Sequence, residues 1–308
     1  MQLAIYTDIF TELSYTEMLD KVKSLGIDAV EMSAGGWGEM KHCNTAELLE
    51  NPEKLAMFKE ELDKREMRIS ALNTSCNPLA STREGKIDKK SMYDCAVLAG
   101  KLGVKKITAM AGFPVEDKKD SMTKRTSAAS WPVFASSAYN RQWEVTITFW
   151  KEYVKHCKTC GVEQIAIEII PGTMVWSVET LLKLRDATDP MLGINLDPSH
   201  LIVMGDDPLR ALRLLKDCIF HIHGKDARIK EETAGMGGLL GGMNDPDDIW
   251  KFVAIGCGKD IQWWKEFFGG LNRLGYNGDV SLDMTDLKAE ETTEKDIIYS
   301  IETLKKVI

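Results

Sequence analysis

Gly193-Ile194-Asn195-Leu196-Asp197-Pro198-Ser199-His200 changes character at one residue, where a short apolar run meets a carboxylate. The same break recurs three times. Ile165-Ala166-Ile167 runs into Glu168, and Ile219-Phe220 into His221-Ile222-His223-Gly224-Lys225-Asp226. Val280-Ser281-Leu282 runs into Asp283. If the four runs are neighbouring parallel strands, their polar ends share one mouth at the C-terminal face of a barrel. Carboxylates with a neutral imidazole suit a divalent ion. The pattern therefore predicts a catalytic metal site.

Working outward, β-branched runs recur at 3–7, 29–32, 68–72, 107–110, 165–169, 193–196, 219–223 and 280–284. Between them the apolar residues repeat at helical spacing, as at 15, 18, 19, 22 and 25. Helices are expected at 15–25, 55–67, 92–102, 149–160, 178–187, 208–215, 261–274 and 296–307. Several end on a C-capping glycine: Gly26, Gly103, Gly161 and Gly275. Strand–helix alternation implies a parallel sheet with right-handed crossovers. Eight units imply closure. The expected fold is α/β, a single (β/α)8 TIM barrel domain over residues 1–308. No G-x-G-x-x-G follows the first strand, which removes the usual dinucleotide reading.

Composition narrows the class. The 308 residues are 44% hydrophobic and 28% charged, which suits one large barrel. A net charge of −8 argues against a nucleic-acid backbone as partner. No apolar stretch is long enough to span a membrane, and the start reads as a first strand rather than a signal peptide. Seven scattered cysteines fit a reducing compartment, so a cytoplasmic location is expected. Cys157 and Cys160 read as two helix residues rather than a metal or redox pair.

Two connections exceed the usual few residues. Residues 112–144 follow strand four and carry Phe113, Trp131, Phe134, Tyr139, Arg141 and Trp143. Residues 224–261 follow strand seven and include the glycine-rich segment from Ala234 to Gly242. Both leave strands at their C-terminal ends, so both should overhang the site as lids or specificity loops. Of five histidines, His200, His221 and His223 sit at the ends of strands six and seven. His221 and His223, two apart in a strand, share a face.

These motifs, together with Gly275-Tyr276-Asn277-Gly278 and the close through Asp286, resemble the xylose isomerase-like sugar phosphate isomerases/epimerases across essentially the whole chain. The resemblance implies metal ligands at Glu168, Asp197, His223 and Asp283, with His223 preferred over His221 for the His-x-Lys-Asp spacing. It places His200 on the substrate, and Lys225 and Arg228 as positive groups for a sugar oxygen or anionic tail. Glu31 resembles a barrel-mouth carboxylate or a partner for a nearby lysine, and Trp131 suits a flat substrate group. One divalent ion is implied, Mn2+ first, with Mg2+, Co2+ or Zn2+ as alternatives.

The implied chemistry is metal-assisted enolisation of a ketose or keto-sugar, followed by isomerisation or epimerisation. The family's eighth-strand glutamate is here Asp283, shorter by about 1.5 Å. Proton transfer is then expected from Glu168, His200 or His221, with Asp283 either an acid–base partner in the family's manner or a ligand only. Three rivals stand beside this reading: a lyase or C-glycoside deglycosidase subunit on the same site, abasic-site DNA repair, and a non-catalytic carbohydrate-binding barrel. The expected partners are a small carbohydrate and either a second copy or a small accessory subunit. The C-terminal helix and Trp263-Trp264 fit core or interface.

Overall fold

The computed structural model describes residues 1–115, 136–231, 249–285 and 293–308. Its frame is a closed barrel of eight parallel strands. In chain order they are β1 (Gln2–Tyr6), β2 (Ala29–Ser33), β3 (Arg68–Thr74), β4 (Lys106–Met110), β5 (Gln164–Glu168), β6 (Leu192–Leu196), β7 (Ile219–Gly224) and, last in the chain, β10 (Asp279–Leu282). Each pairs with its predecessor, and β1 closes the ring on β10 with Ile5 opposite Leu282. All eight predicted strands are present.

Every residue of β2 and β6 is buried, as expected of parallel strands covered on both faces. The outer layer includes α1 (Tyr15–Ser24), α2 (Thr45–Glu50), α3 (Pro52–Asp63), α4 (Arg83–Leu102), α5 (Ser136–Thr159), α6 (Val178–Ala187), α7 (Pro198–Val203) and α8 (Pro208–Leu215). It ends with α9 (Ile261–Arg273) and α10 (Glu294–Lys305). Trp264, Phe267 and Phe268 of α9 are wholly buried, so Trp264 belongs to the core. Gly103 ends α4 at φ 74°, where a side chain would cost roughly 1 kcal/mol. No described helix is long and apolar enough to cross a membrane.

Four expectations need correcting. α4 begins at Arg83 rather than residue 92, because its first turns are charged and carry little apolar period; Thr82 caps it through Gly85 N. α5 begins at Ser136, so Tyr139, Arg141 and Trp143 lie on a helix and not in the long connection after β4. α2 and α7, six residues each, are too short to show a period. The connection after β7 also holds an antiparallel pair, β8 (Asp226–Ile229) with β9 (Trp250–Val253). Trp131, Phe134 and the glycine-rich segment fall outside the described residues.

Asp226 anchors that pair. Its carboxylate is fully buried and accepts from Ala227 N and Lys259 N through Oδ1, and from Gly256 N and Gly258 N through Oδ2, at 2.8–3.0 Å. Trp264 Nε1–H reaches Oδ2 at 3.4 Å. One side chain therefore ties the start of β8 to the loop leading into α9. Asp226→Ala strands the buried donors of Ala227 and Trp264, each worth about 1–3 kcal/mol, and the part-buried ones of Gly256, Gly258 and Lys259. Urea unfolding should show a loss of at least that size.

Candidate metal centre at the barrel mouth

Glu168 is the last residue of β5, Asp197 and Asp283 directly follow β6 and β10, and His223 lies in β7. Each offers a ligand atom, and these atoms all lie within 4.8 Å of one another. The sequence-derived ligand set is thus brought together whole. All four residues are at most 5% exposed.

Local sequence sets their aim. Asp197 caps α7, whose first residue, Pro198, has a fixed φ suited to that position. Ser199 donates to Asp197 Oδ1 through its N–H at 2.8 Å and its hydroxyl at 2.6 Å. Thr285 treats Asp283 the same way, at 3.0 and 2.8 Å. These Asx-type turns engage one oxygen and point the other inward. Lys225 Nζ meets Asp283 Oδ2 at 3.1 Å. Asp197 Oδ2 is buried and accepts no hydrogen bond among the described residues. A buried carboxylate oxygen facing other ligand atoms is the observation that fits a cation.

Beneath the ligands lies Glu31, fully buried. Its Oε1 accepts from Thr108 Oγ1 at 2.7 Å and Asn73 Nδ2 at 3.1 Å. Its Oε2 is 2.9 Å from His221 Nε2 and 3.1 Å from His223 Nε2. Donation from His223 Nε2–H to Glu31 leaves Nδ1, 3.1 Å from Glu168 Oε1 and 3.5 Å from Asp283 Oδ2, as the ligating nitrogen. Glu31, His221 and His223 also form a three-residue ligand group. The barrel registers shift between Val30 and Glu31 and between Ile194 and Asn195, as bulges near a site do. Asn195 Nδ2 is 3.0 Å from His223 Nε2.

Electrostatics separates the two β7 histidines. Burial, reinforced by Lys106, lowers His221 to about 4, so the ring is neutral near pH 7. Burial also acts against charge on His223, but Glu31 and Glu168 outweigh it and raise its pKa well above the ordinary value. Glu168 is held below the usual carboxylate range, since His223 and His200 more than offset its burial.

The centre forms the foot of a cavity of about 480 Å³. Its wall is largely apolar, with Trp37, Met110, Ile170, Trp250 and Phe252. His200 lines it, with Nε2 3.5 Å from Glu168 Oε1 and 3.4 Å from Asp197 Oδ2. Lys225 lines it too, beneath the Phe252 ring at 4.5 Å. A second depression, of 510 Å³, opens at the opposite end of the barrel, around Arg68 and Lys106, away from the ligand cluster.

Three sequence-derived site residues sit elsewhere. His221 and Glu31 are wholly buried and do not line the cavity, and Glu31 pairs with histidines rather than a lysine. Arg228 lies on the exposed side of β8 and is not among the cavity-lining residues. Sequence reasoning passed over Tyr6, Asp8, Ser33, Asn73, Thr108 and Asn195. Of these, Tyr6 ends β1, Ser33 ends β2 and Asp8 stands just beyond β1, the one signal that could have found them.

A closed parallel barrel with a carboxylate–histidine centre at its C-terminal mouth defines a class of enzyme-like barrels. Within that class, the chain belongs to the xylose isomerase-like TIM barrel family, whose model matches residues 19–307. It is 44% identical over 313 residues to the uncharacterized protein YfiH of Bacillus subtilis (strain 168), covering 100% of this chain and 99% of that one. It is 26% identical over 150 residues to an inosose dehydratase of Lacticaseibacillus casei, covering 46% of this chain and 47% of the relative. Among solved structures, the probable 3-DHS dehydratase AsbF of Bacillus anthracis superposes with TM-score 0.71 at 16% identity, covering 99% of each chain. The D-psicose 3-epimerase of Clostridium cellulolyticum H10 does so with TM-score 0.66 at 16% identity, covering 100% and 98%.

Glu168→Gln and His223→Ala should abolish tight binding of a divalent ion. Glu31→Ala removes the acceptor that orients His223 and should weaken binding roughly 10–100-fold. Titration with Co2+, followed by its visible absorption, measures all three.

Proposed function

We propose that this protein is a divalent-metal-dependent isomerase/epimerase that enolises a ketose or keto-sugar. The observation that carries the reading is the buried Glu168–Asp197–His223–Asp283 group at the foot of a cavity open to a small molecule. A divalent ion there, Mn2+ by preference for an oxygen-rich set, supplies Lewis-acid polarisation of a carbonyl. Glu168 has two oxygens, so it can hold the ion through one and take the proton beside the carbonyl on the other. His200 is placed to hold a substrate hydroxyl against Glu168 and Asp197. The apolar wall suits the C–H faces of a sugar or a flat attached group, and favours an uncharged substrate.

Elimination on the same site, as in a dehydratase or C–O lyase, is the second reading, and one observation favours it. Both oxygens of Asp283 are engaged, Oδ1 by Thr285 and Oδ2 by Lys225. Asp283 is therefore poorly disposed to act as a second base on a substrate carbon. Elimination needs only one carbon base. The named relatives span both outcomes, an epimerase and dehydratases.

Deuterium uptake decides. Metal-loaded protein in D2O should exchange the proton beside the carbonyl of at least one member of a panel of ketoses, inososes and 3-keto-glycosides. EDTA should abolish that exchange. Uptake into a rearranged sugar supports isomerisation or epimerisation, and an unsaturated or deoxy product supports elimination. Bound metal with no uptake across the panel would overturn the enolisation reading.

A further inference from the structure

Enolisation followed by stereochemical change needs two proton-transfer groups, one on each side of the substrate carbon. Glu168 supplies one. The engagement of Asp283 by Thr285 and Lys225 leaves the other role open. His200 stands against Glu168 and Asp197, on the same side as the first base.

Across the cavity lies a different group. In the ring order β1-β10-β7-β6-β5-β4-β3-β2, β1 and β5 are four places apart in either direction, so they are diametrically opposed. Glu168 ends β5, and Asp8 stands two residues past β1. Both line the same cavity. Asp8 is braced from two strands. Ser33 Oγ–H of β2 donates to Asp8 Oδ2 at 2.6 Å, and Tyr6 O–H of β1 reaches the same oxygen at 3.3 Å. The Tyr6 and Ser33 hydroxyls are themselves 2.5 Å apart, and the Tyr6 ring stacks on His223 with centroids 6.2 Å apart. Gly38 closes over the group, so near that a Cβ there would lie 2.0 Å from Ser33 Oγ and 3.0 Å from Asp8 Oδ2.

We propose that Asp8, held by Ser33 and Tyr6, is the second acid–base residue of this site and works from the opposite face to Glu168. The inference rests on the enolisation reading above. Glu168 takes the proton from the carbon beside the carbonyl, and the C–H electron pair becomes the C=C bond of the enediolate. Asp8, as the acid, gives its proton to the other face of that carbon, and the C=C pair forms the new C–H bond as the carbonyl returns. Glu168 ends protonated and Asp8 ionised, and exchange with water resets both, so no oxidant or reductant is needed. Burial raises the Asp8 pKa from its ordinary value, against the Ser33 hydrogen bond, His42 and the Tyr6 hydrogen bond, with the Glu39 backbone also facing it. This favours the acid form.

The test separates the two proton transfers. In D2O, Asp8→Asn should still wash deuterium into unreacted substrate through Glu168, while conversion to product falls about 10²–10⁴-fold. Ser33→Ala removes one hydrogen bond to the carboxylate and raises the Asp8 pKa. The acid then survives to higher pH, so the descending limb of the conversion pH profile should move upward. Conversion by Asp8→Asn at the wild-type rate would overturn the proposal, as would joint loss of exchange and conversion in a folded, metal-loaded variant. Should Asp8→Asn fail to fold, an unmoved pH limb in Ser33→Ala would overturn it. Absence of exchange in the wild-type protein would sink the enolisation reading, and this inference with it.

Discussion

Four carboxylates buried at one end of a barrel set the terms for the rest of the site. Glu31, Glu168, Asp197 and Asp283 are each at most 5% exposed. Removing an ionised carboxylate from water costs several kcal/mol unless hydrogen bonds and opposite charge answer it. The protein answers with Thr108, Asn73, His221 and His223 around Glu31, paired Ser199 donors on Asp197, and Thr285 with Lys225 on Asp283. The inward carboxylate oxygens still concentrate negative charge at one point. A small doubly charged cation is the chemical complement of that arrangement.

Barrel closure is what makes the arrangement buildable. Side chains that contribute to the centre come from β2, β3, β4, β5 and β7, and from the turns after β6 and β10. No two of the four ligands are neighbours in sequence. Parallel strands in register present their C-terminal ends at one level, so residues 168, 197, 223 and 283 meet without any long-range connector. The register shifts at Glu31 and Asn195 adjust aim locally.

Much of this was legible in the chain. Strand positions were clear because each is a short β-branched run bounded by polar residues, and the ligands were clear because they punctuate those runs. The network below them was not. Asn73, Thr108 and Asn195 look like ordinary polar residues inside strands, and only closure shows that Asn73 and Thr108 share one acceptor, Glu31. Asp8 and Ser33 are 25 residues apart and meet only across β1 and β2. The β8–β9 pair escaped notice for a similar reason: its two four-residue strands are separated by a long stretch of chain, and neither carries a period of its own. Charged first turns hid the start of α4.

The β8–β9 pair also divides the cavity between two parts of the fold. Phe252 and Trp250 reach the cavity from an element attached outside the ring, secured at its base by Asp226 and resting on Ile202 and Val203 of α7. Changes at Trp250 can reshape the cavity wall from outside the ring, whereas Phe252 packs on His200 and over Lys225, so changes there reach the centre itself. The ring thus carries the ligand cluster, while an appendage outside it supplies part of the cavity wall.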